Sequence, residues 1–341
     1  MPLTEQTVRD ALQKIHFPGY SRDIVSFGFV KSIAVTASGD VQVGVELTTR
    51  DAAVAAQIQR EAEAALRALP GADSVTVEVS TVQAPAASGV PTPKLIPGVK
   101  RVIAVGSGKG GVGKSTVAVN LACALHAMGL KVGLLDADIY GPTVPKMLGT
   151  VEEPTITGER INPIEKHGLK LMSIALLLDP AQAVIWRGPM IMKVLQQFTQ
   201  DVNWGPLDVL LVDLPPGTGD AQISLSQLLV LDGAVIVTTP QQVAMEVVRR
   251  GLTMFEKVNV RVLGLIENMS YYVCPHCGGR DEIFGHDTAQ QLGVPVLCRI
   301  PLNSDIRACG DRGEPVLLAM PGSRSALAFR ECAETIWKQL Q

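Results

Sequence analysis

No uninterrupted apolar run in the 341-residue chain approaches the length of a membrane-spanning helix, although apolar residues make up 47% of it. No cluster of Lys and Arg stands out, and the net charge of -3 argues against nucleic acid as the main partner. The opening residues Met1-Pro-Leu-Thr-Glu-Gln6 lack a basic region followed by an apolar one, so no secretory signal is read there. Six cysteines in a chain this long make no disulfide framework. These absences lead to the expectation of a soluble, intracellular protein of the cytoplasm, with no nucleic acid and no membrane as partner. The length suits a large α/β domain with a smaller companion.

What is present is organised around residues 106–116, Gly-Ser-Gly-Lys-Gly-Gly-Val-Gly-Lys-Ser-Thr. From Gly108 to Ser115 the spacing is G-x-x-x-x-G-K-S, a phosphate-binding loop (P-loop) whose glycines let successive backbone N–H groups turn toward anionic oxygens. Lys114 would reach the terminal phosphates and the Ser115 hydroxyl would hold magnesium. The preceding Arg101-Val-Ile-Ala-Val105 is strand-like and the residues after Ser115 have helical spacing. The loop therefore leads into a helix N-terminus, where the dipole favours phosphate. A second lysine, Lys109, is either a solvated side chain or a charge offered to a neighbouring subunit's phosphates, as an arginine finger is in trans.

Residues 1–80 read as a small α+β domain: helix over 4–15, strands at 30–36, 40–47 and 74–79, and an Ala-rich helix over 51–69. Its one histidine, His16, reads as a surface or packing residue. Residues 81–100, with Pro85, Pro91, Pro93 and Pro97, form an extended linker. From 101 to 341 strands and helices alternate, the pattern of a mostly parallel sheet flanked by helices. Strands are expected at 102–106, 131–136, 170–176, 208–213, 233–238, 260–266 and 296–300, and helices at 114–128, 188–202, 220–230, 241–257, 286–292 and 323–339. The last helix is expected to pack on the sheet rather than on lipid, because Arg330, Glu331, Glu334 and Lys338 offer no basic face.

Ligands of such sheets bind beyond the strands' carboxyl ends. Asp136 and Asp138 follow the second strand, as turn caps or as magnesium and water-orienting carboxylates. Asp213 ends the fourth strand as a Walker B carboxylate does. In the Leu214-Pro-Pro-Gly-Thr-Gly-Asp220 segment that follows, Gly217 is placed to offer a backbone N–H to a γ-phosphate. Asn268, at the end of the sixth strand, either reads an adenine edge or caps a turn. Cys274 and Cys277 form a C-x-x-C knuckle able to put two thiolates on one ion or cluster, and no second such pair exists in the chain. His276, inside the knuckle, is badly placed as a third ligand. Cys123, Cys298 and Cys332 read as buried structural thiols, and Cys309 stays open. Two copies of the chain, each giving two thiolates, complete the site most simply, and Lys109 asks for the same homodimer.

On Gly108-Lys-Gly-Gly-Val-Gly-Lys-Ser-Thr116, Asp136-Ala-Asp-Ile-Tyr-Gly-Pro142, Trp186-Arg-Gly-Pro189, Asp213-Leu-Pro-Pro-Gly-Thr-Gly-Asp220, Glu267-Asn-Met269 and Cys274-Pro-His-Cys277, the chain resembles the Mrp/ApbC iron-sulfur cluster carriers. These belong to the deviant-Walker class that includes MinD, ParA and the nitrogenase iron protein. The resemblance covers nearly the full length and implies an ATPase with a P-loop NTPase fold. Its nucleotide-binding residues would be Gly108, Lys109, Gly110, Gly111, Val112, Gly113, Lys114, Ser115, Thr116, Asp136, Asp213, Gly217 and Asn268. Lys109, Lys114 and Asp138 would be catalytic, Lys109 as the signature lysine acting across the dimer and Asn268 as an adenine contact. The cofactors implied are ATP, Mg2+ and a labile 4Fe-4S cluster bridging Cys274 and Cys277 of two subunits, with cluster assembly proteins and apo-protein acceptors as partners. Many relatives carry a cysteine after a Thr-Thr-Pro-like turn in the small domain, whereas this chain reads Leu47-Thr-Thr-Arg-Asp-Ala-Ala53. The small domain is therefore expected to dock or regulate rather than to carry thiol chemistry. A MinD- or ParA-like positioning ATPase with a structural zinc knuckle is the alternative, and an ATP-driven electron donor is a third reading.

Overall fold

The computed structural model describes residues 3–15, 23–26, 28–36, 38–47, 52–81, 94–177, 188–217, 219–285 and 292–341. His16, Thr218, most of the linker, Trp186 and Arg187, residues 48–51, and most of the helix expected over 286–292 lie outside them. The chain divides into two compact units, Met1–Val90 and Pro91–Gln341.

In the first unit, helix α1 (Glu5–Leu12) begins in a capping box, the Thr4 hydroxyl accepting from the Thr7 backbone while the Thr7 hydroxyl accepts from the Thr4 backbone. Strands β1 (Val30–Val35) and β2 (Asp40–Leu47) pair antiparallel. Helix α2 (Ala52–Arg67) then crosses over so that β3 (Ser74–Thr81) lies parallel to β2. Alternation along β2 sends Val41, Val43, Val45 and Leu47 into the core, where Ile58, Ala62 and Leu66 of α2 meet them.

The second unit is a three-layer sandwich. Its elements are β4 (Val102–Ser107), α3 (Lys114–Ala127), β5 (Val132–Asp136), α4 (Val144–Met147), β6 (Thr155–Thr157), β7 (Arg160–Asn162), β8 (Ile164–Lys166), β9 (Leu169–Ser173), α5 (Gly188–Gln200), β10 (Val209–Asp213), α6 (Asp220–Leu228), β11 (Gly233–Thr238), α7 (Gln242–Lys257), β12 (Val262–Glu267), β13 (Tyr272–Val273), β14 (Arg280–Asp281), β15 (Val296–Arg299), α8 (Ser304–Arg312), α9 (Val316–Ala319) and α10 (Arg324–Leu340). The main sheet has the order β15-β12-β11-β4-β10-β5-β9-β8, all pairs parallel except β8 with β9. Strands β4, β5, β10 and β11 are buried on both faces, which is why each reads as an unbroken apolar run instead of alternating. Chain order reverses around β4, whose neighbours are β10 and β11, and the crevice for a ligand opens beyond the strand ends at such a reversal.

Helices α3 and α10 cover one face, with Phe329, Cys332, Ala333 and Ile336 of α10 in a core shared with Leu121 and Leu125 of α3. Because α3 is sandwiched between sheet and α10, its sequence is apolar all round. The only polar residue within that apolar stretch, Asn120, is satisfied: its amide donates to the Thr116 carbonyl at 2.9 Å and accepts from the Leu317 N–H at 3.3 Å. Helices α5, α6 and α7 cover the other face through Ile191, Leu195, Phe198, Leu225, Val248 and Phe255.

The structure amends several expectations. The strand expected over 170–176 stops at Ser173, whose hydroxyl accepts from the Ala175 N–H and turns the chain into a 3-10 helix over Ile174–Leu176. Cys298 is only partly buried, whereas Cys123, Cys309 and Cys332 are buried. Leu327, assigned to the apolar face of the last helix, is 46% exposed.

Trp204 is fully buried and its indole N–H donates to the Phe198 carbonyl at 2.9 Å, so its loss removes both packing and a satisfied donor. Trp204→Ala is expected to destabilise this unit by about 3–5 kcal/mol. A urea midpoint that moves with the m-value unchanged would check it.

Candidate functional site

The strand ends converge by register. Asp213 of β10 lies beside Asp136 of β5 and Val105 of β4, and the loop leaving β4 brings Lys114 and Ser115 onto Asp213. Gly113, the residue before α3, has φ 81, and a Cβ there would strike the Asn268 amide. A Cβ on Gly108 would sit 2.9 Å from the Val247 backbone. Both positions therefore need glycine, one for its left-handed backbone and the other for close approach. The resulting loop ends on the unpaired N–H groups of α3, an anion cradle of the kind the motif implies.

Lys114 is 6% exposed and its Nζ sits 2.9 Å from Asp213 Oδ1, 3.5 Å from Asp138 Oδ2 and 3.4 Å from Ser115 Oγ. The Ser115 hydroxyl donates to Asp213 Oδ2 at 2.5 Å. Asp136 is fully buried and accepts from the Ser173 hydroxyl at 3.0 Å and from the Asp138 and Val144 backbone N–H groups at 3.2 and 3.4 Å. Burial, reinforced by the Asp213 charge, pushes the Asp136 carboxyl up to about 7. Burial also raises Asp213, against the opposing pull of Lys114 and Ser115. The sequence-predicted Lys114, Ser115, Asp136, Asp138 and Asp213 thus form one cluster. A hydroxyl and hard carboxylates beside a phosphate cradle are the donors magnesium takes.

Asn268 donates from its amide to the Val112 carbonyl at 2.8 Å, bracing the loop. It also borders a cavity of about 400 Å³ together with Gly113, Thr116, Met269, Leu302 and Arg307. The other residues bear on the site less directly. Lys109 turns within its own chain, its Nζ 2.9 Å from Gln241 Oε1. The Gly217 N–H donates to the Ser107 carbonyl at 3.0 Å, which ties the segment after β10 to the end of β4. Sequence reasoning missed Gln241, Ser173 and the α8 wall of the cavity. Ser173 and Gln241 lie at or just beyond strand ends, the one signal that pointed to them.

Cys274 and Cys277 stand apart from this cluster, on a knuckle closed by β13 and β14. The Cys274 N–H donates to the Gly279 carbonyl and the Gly278 N–H to the Cys274 carbonyl, both at 2.9 Å. The backbone N–H groups of Cys277 and His276, then the Cys277 thiol, hold the Cys274 thiol below its ordinary range. Cys277 is exposed and Cys274 partly so. Among the described residues no group of three His, Cys, Asp or Glu side chains is placed to hold a metal ion, so one knuckle supplies two ligands and no more. By contrast, burial pushes the Cys123 thiol up to about 12. No helix of the described residues is long and apolar enough to cross a membrane.

Residues 98–337 match the family model described as NUBPL iron-transfer P-loop NTPase, and residues 5–79 match that of iron-sulfur cluster assembly proteins. The chain is 46% identical to the iron-sulfur cluster carrier protein of Deinococcus radiodurans over 97% of its own length and 94% of the relative's. Among solved structures, the nucleotide-binding protein of Archaeoglobus fulgidus in complex with ADP aligns with TM-score 0.57 and 41% identity, covering 63% of this chain and 87% of that one. The cell division ATPase MinD of Pyrococcus furiosus aligns with TM-score 0.55 and 25% identity over 70% and 99%.

The raised Asp136 pKa carries a sign. A carboxyl at about 7 in the fold and at 3.8 when exposed favours folding below the lower value, and that benefit is lost as pH rises through the higher one. Asp136→Asn should therefore stabilise the protein more at pH 8 than at pH 5, the gain growing by roughly 1–3 kcal/mol between them, read from thermal unfolding at both pH values. An equal gain at both pH values would contradict the buried-charge account.

Proposed function

The chain belongs to the NUBPL iron-transfer P-loop NTPase family, and on that premise we propose that it is a homodimeric, ATP-hydrolysing carrier of an iron-sulfur cluster. The cluster is cargo, held between the Cys274 and Cys277 thiolates of two copies and passed to apo-proteins. The observation that carries this reading is the half-complete donor set: two surface thiols, one of them tuned toward thiolate, with no third ligand beside them among the described residues. A tetrathiolate site then asks for a second chain.

The nucleotide part rests on the Lys114 cluster. Lys114 pairs with the terminal phosphates, Ser115 with Asp136 and Asp213 holds magnesium, and Asp138 orients the attacking water. Magnesium, when bound, neutralises phosphate oxygens and the charge developing on them. Asn268 contacts the adenine at the edge of the cavity. Two residues must change partner: Gly217 leaves the Ser107 carbonyl to offer its N–H to the γ-phosphate, and Lys109 leaves Gln241 to reach the other subunit's phosphates. Both exchanges depend on the triphosphate, so they give ATP and ADP different grips on the dimer. The small N-terminal domain, without the cysteine seen in many relatives, acts as a docking or regulatory module.

Anaerobic reconstitution with iron and sulfide tests the cargo site. Wild type should show an iron-sulfur visible spectrum at one cluster per dimer, and Cys274→Ala with Cys277→Ala should lose it. A spectrum that persists in the double variant, or tightly held stoichiometric zinc in the purified protein, would instead support the MinD-like reading with a structural knuckle. Separately, Lys114→Ala is expected to lower ATP turnover by at least about 100-fold, while Lys109→Ala should abolish ATP-dependent dimerisation in sedimentation with nucleotide binding retained.

A further inference from the structure

We infer that Tyr271 and Arg280 are positioning residues that pass adenine occupancy of the cavity beside Asn268 to the Cys274/Cys277 thiols. The inference rests on the nucleotide and thiol assignments proposed above.

The cavity and the knuckle share a wall. On the cavity side it is lined by Asn268 and Met269 from one strand exit and by Pro301 and Leu302 from the next. These exits are laced together: the Ser270 N–H donates to the Ile300 carbonyl at 2.9 Å, the Leu302 N–H to the Tyr271 carbonyl at 2.7 Å, and Tyr272 bridges to Leu302. At the root, register sets Glu267 beside Arg299, and the buried Glu267 carboxylate takes the Arg299 guanidinium at 3.1 Å and the Ser270 hydroxyl at 2.7 Å. That clamp, buried at its carboxylate, fixes the base of the wall to the sheet. Displacement of Leu302 by a base is therefore carried forward along Tyr271 rather than back into the core.

Beyond Tyr271 lies the knuckle. The Arg280 guanidinium stacks 4.0 Å above the Tyr271 ring, and Arg280 pairs across the ladder with Val273, the residue before Cys274. One side chain thus links the wall's last hydrogen-bonded residue to the strand that closes the thiol loop. Arg280 is half exposed, so its removal loosens this link without opening the core.

The test uses the full-length, reduced, iron-free protein and follows iodoacetamide labelling of Cys274 and Cys277 by mass spectrometry, with buried Cys123 as internal reference. ADP is expected to change the labelling rate of the pair by about threefold or more, and pyrophosphate, which lacks the base, to leave it unchanged. Arg280→Gln and Tyr271→Leu should each bring the ADP effect below about 1.5-fold while ADP affinity stays within about threefold, and Arg280→Lys should restore part of it. The inference is overturned if ADP leaves wild-type thiols unchanged or does not bind, if pyrophosphate acts as ADP does, or if both variants keep the effect. Iron takes no part in this readout, so a failed cluster reconstitution and a failed coupling are told apart.

Discussion

Asp136, Asp138 and Asp213 face one buried ammonium, and the site follows from that imbalance. Lys114 lies within 3.5 Å of Asp138 and 2.9 Å of Asp213, while Asp136 is left with hydroxyl and amide donors. Burial disfavours charge on both strand-end carboxyls and the Asp213 charge adds to it at Asp136, so the fold raises Asp136 to about 7 and raises Asp213 as well, against the pull of Lys114. On the proposed assignments, a divalent cation held by the carboxylates and a polyphosphate paired with the lysine would relieve the imbalance from both sides. The parallel sheet makes the arrangement possible because it ends every strand on the same side. Asp136 and Asp213 are then register partners before any loop is considered.

How much of this was readable follows the range of the interactions involved. The loop, the carboxylates at the strand ends and the knuckle are local patterns, set by strand exits and glycine spacing, and each lies where its neighbours in sequence implied. The parallel sheet was legible for the same reason, since burial on both faces writes itself as an aliphatic run in β4, β5, β10 and β11. Long-range pairings left no such mark. Lys109 and Gln241 are 132 residues apart, and the contact rests on one amide side chain that any polar loop residue would imitate in sequence. The antiparallel edge strand β8, the β6/β7 hairpin and helix α8 were missed because three-residue strands and a Gly-containing, Cys-containing helix carry little periodicity. Ser173 ended its strand early through a hydroxyl cap, a local competition that an apolar run conceals.

Placement of the thiols has its own physical logic. A thiol buried among apolar side chains is held as the neutral form, as Cys123 is, and is useless to iron. On a surface knuckle the backbone N–H groups of Cys277 and His276 favour the thiolate. A donor set stabilised by backbone dipoles in water binds and releases a soft metal centre more readily than a closed four-ligand cage, which suits cargo better than a resident cofactor. Incompleteness within one chain has a further consequence. In the proposed dimer, grip on the cargo would depend on how two copies meet, and that meeting is what nucleotide contacts at Lys109 and Gly217 would alter.

Binding energy can change grip only where it differs between states, so the two sites need a mechanical connection or a shared interface. This chain has the elements of both. The proposed interface route runs through Lys109 and Gly217, whose present partners, Gln241 and the Ser107 carbonyl, would compete with phosphate for the same donors. The internal route runs along the strand exits at Asn268 to Tyr272, which serve the cavity at one end and the knuckle at the other. Because the Glu267 clamp anchors the shared root, the outer wall is the compliant part, and it is also the part nearest the thiols. On the proposed assignments a triphosphate would use both routes and a diphosphate only the inner one, so the two nucleotides would differ at the knuckle even where each fills the same cradle.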